Sequence, residues 1–225
     1  MSLLDYDRTY KLSSNAELLF EKVMELFENR KLNMFSEHYP LQEQDKEVCY
    51  LWPLSAVYSA VIALMELNAP TGKYAGYLKK LDSMLEYYWD TRRQPPAYQA
   101  LPSAYGGSER FYDDNEWLGL DFVRAYRLTQ NEKYLKGASV VYKFILSGCS
   151  NELGGGIYWC EQKKDMKNTC SNGPGALLCL ELYKTTKETA YLEKGLELYL
   201  WTKSKIQAPD GLYLDHIKID GTTDN

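Results

Sequence analysis

Tyr134-Leu135-Lys136-Gly137, with Phe144 ten residues after the tyrosine, has a copy 57 residues to either side: Tyr77-Leu78-Lys79-Lys80 with Tyr87, and Tyr191-Leu192-Glu193-Lys194 with Trp201. Self-similarity at a fixed period is the mark of stacked supersecondary units. Around each copy apolar residues recur at i, i+3, i+4 and i+7, the spacing that places them on one helix face. Extended along the chain, this spacing predicts helices over about 14–31, 52–68, 73–90, 114–129, 131–146, 173–186 and 189–206, with little strand-like alternation. The class is all-α. The second, fourth and sixth helices carry few Lys or Glu and read as buried, whereas the odd-numbered ones carry many and read as external. Alternating buried and external helices describe either a superhelical solenoid or a closed α/α toroid of inner and outer helices. The connections within a pair are short (Asn68–Gly72, Thr129–Asn131, Thr186–Glu188), and those between pairs are long (Leu32–Leu51, Thr91–Asp113, Ser147–Asn172). In a toroid, the long loops gather at one rim beside the N-termini of the inner helices, where a pocket has walls and positive helix ends.

Composition narrows the function. The chain has 225 residues, 45% hydrophobic and 25% charged, as expected of one globular domain spanning 1–225. A net charge of −5 argues against nucleic acid as a partner. No apolar run reaches the length of a membrane span, and no basic-then-apolar leader opens the chain, so the expectation is no membrane partner and a cytoplasmic location, or a secreted one if a leader has been trimmed. Five Cys without a C-x-x-C pair and two His outside metal-ligand spacing indicate neither a disulfide framework nor a zinc site. No G-x-S-x-G elbow, P-loop or dinucleotide fingerprint occurs. The aromatic content is high, with 20 Tyr and 5 Trp, and such side chains suit sugar rings because they join an apolar face to a polar edge.

Candidate chemistry concentrates where the second long loop meets the fourth helix, in Gly106-Gly107-Ser108-Glu109-Arg110-Phe111-Tyr112-Asp113-Asp114-Asn115-Glu116-Trp117. Two adjacent carboxylates at an inner-helix start can form a glycosidase pair, one attacking the anomeric carbon and the other protonating the leaving oxygen. Asp113-x-x-Glu116 is equally a capping-box pattern. In the third long loop, Gly154-Gly155-Gly156 lets backbone approach a ligand and Trp159 offers a stacking platform. Ser171 or Asn172, with Pro174 in the first turn, reads as a helix cap.

The runs Phe111-Tyr112-Asp113-Asp114-Asn115-Glu116-Trp117-Leu118-Gly119-Leu120, Gly155-Gly156-Ile157-Tyr158-Trp159 and Lys167-Asn168-Thr169-Cys170-Ser171-Asn172-Gly173-Pro174 closely resemble glycoside hydrolase family 76 over about residues 10–220. The resemblance implies an (α/α)6 toroid and a retaining endo-α-1,6-mannanase without metal or cofactor. It implies Asp113 as nucleophile and Asp114 as acid/base, with Trp159, Asn172, Tyr112, Tyr158 and Trp117 among the sugar-contacting residues and an oligo- or polysaccharide as partner. Two other readings are a silent glycan-binding toroid and a transglycosylase of the same family. At 57 residues per hairpin the chain supplies about four of six, so the toroid is expected to be incomplete at its C-terminal side. Leu177, Leu178, Leu180 and Leu182 would then lack neighbours.

Overall fold

The structure is a computed structural model describing residues 3–68 and 72–224, with side chains described for residues 11–68 and 72–223. Contacts group the chain into two compact units, residues 1–86 and 87–225. Seven α-helices occur among the described residues, none long and apolar enough to cross a membrane.

The first unit holds α1 (Leu3–Phe27), α2 (Leu51–Leu67) and α3 (Lys73–Leu85), with the pair β1 (Glu28–Asn29) and β2 (Met34–Phe35) after α1. α1 stops before the expected residue 31 because the chain turns back through β1 and β2, with Asn33 in the left-handed region at φ 51°. α2 carries a single charged residue, Glu66, and buries Leu54, Tyr58, Val61, Ile62 and Met65. The Tyr58 hydroxyl donates to Asp82 on α3 at 2.8 Å. The short connection expected at Asn68–Gly72 falls mostly outside the described residues.

The second unit holds α4 (Tyr112–Thr129), α5 (Glu132–Ser147), α6 (Thr169–Thr186) and α7 (Thr189–Ile206). Both ends of α4 recur in α6 exactly one period later in sequence, as does the start of α5 in α7, so the 57-residue repeat is physical. The caps repeat too: Gln130 and Lys187 both take left-handed conformations, at φ 55° and 67°, and return their N–H to Tyr126 and Tyr183. The first hairpin is offset from this period, with α2 starting at Leu51 and α3 at Lys73. α4 buries 11 of its 18 residues whereas α5 buries 5 of 16, the inner and outer character expected of them. α4 and α6 approach closely at Gly119, where a Cβ would fall 2.7 Å from Leu178 Cδ2. Leu178 and Leu182 are thereby fully buried, against the expectation that they lack neighbours, while Leu177 is 46% exposed.

The long loops are not featureless. β3 (Trp89–Asp90) pairs with β4 (Ala97–Tyr98), and β5 (Met166–Asn168), β6 (His216–Lys218) and β7 (Thr223–Asp224) form an antiparallel sheet. Strands of two or three residues are too short to leave an alternating pattern in sequence.

Candidate active site

Two buried cations anchor the loops leading into α4 and α6. Arg110 is fully buried; its Nε donates to Glu161 at 2.8 Å, a second guanidinium nitrogen pairs with the other carboxylate oxygen, and a third donates to the Pro95 carbonyl at 2.9 Å. Its guanidinium lies 5.0 Å from the centre of the Phe144 ring. One period on, Lys167 is fully buried and donates to Ser150 Oγ at 2.9 Å, to the Glu152 carbonyl at 2.8 Å and to the Gly155 carbonyl. Its ammonium lies 5.5 Å from the Trp201 ring, the counterpart of Phe144. The glycine loop thus closes on Trp201: a Cβ at Gly156, whose φ is +82°, would come within 2.6 Å of the indole.

The same equivalence explains two asparagines. Asn115 accepts from the Tyr98 N–H at 2.9 Å and donates to the carbonyls of Tyr98 at 2.9 Å and Phe111 at 2.8 Å. Asn172, one period later, accepts from the Ile157 N–H at 2.7 Å and donates to the carbonyls of Ile157 at 2.9 Å and Asn168 at 2.8 Å. Each ties a helix start to the loop in front of it. Replacing Asn172 by Ala leaves a buried N–H and two carbonyls without their partner, and Asn115→Ala does the same. Each change is expected to lower unfolding free energy by about 1–3 kcal/mol, measured by urea denaturation.

The two copies part at three polar positions of α4. Asp113, Asp114 and Glu116 on α4 correspond to Cys170, Ser171 and Gly173 on α6. The capping-box alternative fails, because α4 begins at Tyr112 with Phe111 as its N-cap, and Asp113 is already inside the first turn. Glu116, the other half of that box, is fully buried with no partner on either oxygen among the described residues. The backbone of α4 is held by Tyr112, whose N–H donates to the Trp159 carbonyl at 3.0 Å. The Trp159 indole N–H donates to Asp113 Oδ2 at 3.2 Å. Its ring lies 4.7 Å from that of Phe111, and the residue stays partly exposed.

These contacts separate the two aspartates electrostatically. Burial raises Asp113, but the Cys170 thiol, the Trp159 N–H and backbone N–H groups of the first turn all donate to its carboxylate and favour the charge. Asp114 has no such relief: burial and then the charge of Asp113 push it up to about 7. Burial raises both carboxyls; the donors around Asp113 favour its ionised form, while Asp114, pushed up to about 7, keeps a proton into the neutral range.

The remaining expected sugar contacts divide. Trp117 is 39% exposed, one turn beyond Asp113 on α4. Tyr112 is 1% exposed and stacked on Phe144 at 4.6 Å, so its ring is spent on packing. Tyr158 is 3% exposed, donates its hydroxyl to Glu152 and lies under Lys167. Asn172 is 0% exposed with its amide fully engaged. The placements of Tyr112, Tyr158 and Asn172 correct the expectation of direct sugar contact: all three hold the loops from behind. The α6 cap expected at Ser171 or Asn172 also shifts, because α6 starts at Thr169 and includes Pro174. The supporting pair Arg110 and Lys167 carries its own sequence signal, the same 57-residue spacing that separates Asn115 and Asn172.

The sequence model described as glycosyl hydrolase family 76 matches residues 11–225. No curated protein matches the chain significantly. A family 76 glycoside hydrolase from a bovine Bacteroides thetaiotaomicron strain superposes with a TM-score of 0.82 at 29% identity, over 92% of this chain and 45% of that one. The GH76A α-1,6-mannanase from Salegentibacter sp. HEL1_6 superposes with a TM-score of 0.76 at 27% identity, over 94% of this chain and 57% of that one. A further structure is an inactive variant of that mannanase with two consecutive aspartates changed to asparagine, in complex with α-1,6-mannotriose; it matches at 25% identity and a TM-score of 0.76, over 94% of this chain and 57% of that one. The fold is the α/α toroid of these proteins, incomplete, since the chain spans about half of their length.

Proposed function

The chain belongs to glycosyl hydrolase family 76, and on that premise we propose that it cleaves α-1,6-linked mannan or a related α-mannoside with retention, through one catalytic domain. The observation that carries this reading is the unequal surroundings of two neighbouring buried carboxyls: Asp113 meets the donors of Trp159, Cys170 and the first turn, whereas Asp114 lacks them and is pushed up to about 7 by burial and by Asp113. Carboxyl pairs pushed apart in this way supply a nucleophile and a general acid at one pH. Consecutive Cα atoms lie about 3.8 Å apart, so the two carboxyls can approach the roughly 5–5.5 Å separation of retaining pairs.

In the first step, the Asp113 carboxylate forms a bond to the anomeric carbon as the glycosidic C–O bond breaks. The Asp114 proton passes to the leaving oxygen. In the second step, Asp114, now a carboxylate, takes a proton from water as that water's oxygen displaces Asp113 and regenerates it. Trp159 orients Asp113 through its N–H and presents its ring to the sugar, and Trp117 adds a second exposed aromatic surface. The likeness to a mannanase structure whose inactive form has two consecutive aspartates replaced supports the assignment of the pair.

The test is proton NMR of α-1,6-mannotetraose during turnover. Retention requires that the first-formed reducing end be the α-anomer; the β-anomer would overturn the mechanism, and absence of cleavage with retained binding would favour a silent glycan-binding protein. Trp159→Phe keeps a stacking ring but removes the donor to Asp113. Its kcat/KM is expected to fall about ten-fold, with the acid limb of the pH profile moved to higher pH, because the ionised form of Asp113 loses a hydrogen bond.

A further inference from the structure

One turn beneath Asp113 lies a carboxyl that the chemistry above leaves unused. Glu116 is 0% exposed. Among the described residues, neither of its oxygens meets a hydrogen-bond partner, and the same holds for Oδ1 of Asp113 and Oγ of Ser171. Positions three apart on a helix share a face, so the Glu116 carboxyl lies on the same side of α4 as Asp113. Gly175 on α6 makes the room, since a Cβ there would fall 3.0 Å from Glu116 Oε1 and 2.8 Å from Ile157 Cδ1. Ser171 stands one turn before Gly175 on the same α6 face.

A buried carboxylate without donors is far costlier than a neutral carboxylic acid, whose O–H needs a single acceptor. The carboxyl of Glu116, Oδ1 of Asp113 and Oγ of Ser171 are three buried polar groups in want of a partner, and one buried water with two to four polar neighbours would supply it. The titratable groups facing Glu116 are Asp113 on its own helix, Cys170 and Cys179 on α6, and Cys149 after α5. Burial raises all three thiols, so they stay neutral in the working range and Asp113 is the charge that Glu116 meets. Burial first, and the charge of Asp113 second, hold the Glu116 carboxyl well above its ordinary range.

We propose that Glu116 is a positioning residue, kept as the neutral acid, whose O–H donates through one buried water to the inner oxygen of Asp113 and so fixes the rotamer and the charge of that carboxylate. Its effect on rate rests on the glycosidase reading; its protonation and its link to Asp113 do not. Infrared spectroscopy tests the latter without turnover. At mildly alkaline pH, above the point near 7 at which Asp114 ionises, the wild-type chain is expected to show the C=O stretch of a protonated carboxylic acid. That band should be absent in Glu116→Gln and moved to higher frequency in Asp113→Asn, where the acceptor is weaker. A wild-type spectrum without the band, its survival in Glu116→Gln, or its indifference to Asp113→Asn overturns the proposal.

Kinetics test the positioning. Glu116→Leu should lower kcat at least about ten-fold with KM within about two-fold and move the acid limb to higher pH, while Glu116→Gln, still a donor, recovers most of the loss. A Glu116→Leu variant with wild-type kcat overturns the positioning role. Should Glu116→Leu fail to fold, Glu116→Gln decides alone: a rate as low as that of a nucleophile variant overturns the proposal. Wild-type protein inactive on every α-mannan counts against the glycosidase reading, and the infrared band still settles Glu116.

Discussion

Asp114→Asn is expected to lower hydrolysis of α-1,6-mannan by about 10²–10⁴, the usual contribution of a general acid, while making the folded protein more stable at pH 8. The second half follows from linkage. The folded-state value, about 7, is raised above the ordinary 3.8 by burial and then by Asp113. The group therefore contributes full stability only below about 3.8, and that contribution is lost as pH rises through about 7. The cost at pH 8 is on the order of 4 kcal/mol, which an uncharged Asn does not incur. Thermal unfolding at pH 4 and pH 8 should show the variant close to wild type at the lower pH and higher melting at the upper. Asp113→Asn should be at least as damaging to the rate, because it removes the atom that bonds to carbon. A rate within about ten-fold of wild type in either variant would remove that residue from the mechanism.

Arg110→Ala is expected to be among the most destabilising single changes in the second unit. It strips Glu161 of a two-point partner, the Pro95 carbonyl of a donor, and the face of Phe144 of a cation. Breaking a buried ion pair costs about 3–5 kcal/mol when the surviving charge is left uncompensated, and that range is the ceiling here because Arg93 remains 3.5 Å from Glu161. Asp90, 3.9 Å from an Arg110 nitrogen, keeps other partners when Arg110 is lost: burial works against its charge, but Arg92 and Arg93 hold it at about 2. Lys167→Ala should lose a comparable amount through Ser150, Glu152 and Gly155. Guanidinium denaturation midpoints measure both, and Arg110→Lys should recover only part of the loss, since an ammonium cannot span two carboxylate oxygens. Midpoints unchanged in both alanine variants would show that the cations do not hold the loops.

The helices from α4 to α7 were legible in the 57-residue period and in the i, i+3, i+4 pattern, because helix periodicity is set by residues within a turn or two of one another. The α4 and α6 starts were read two and four residues late, since Phe111 and Asn168 carry no capping side chain bond to announce them. The aspartate pair stood out in the sequence, but its neighbours could not say whether it capped a helix or faced a site. The helix start at Tyr112 removes the cap, and the partner of Asp113 is Trp159, 46 residues away, as that of Arg110 is Glu161, 51 residues away. The sequence by itself determined the class, the repeat and the carboxyl pair. Only the tertiary structure decided which aspartate meets donors, which aromatic residues stay open, and that Asn172 holds a loop. The partner of a buried polar group is chosen by whichever distant segment the fold brings against it, and burial then sets how strongly that choice is felt.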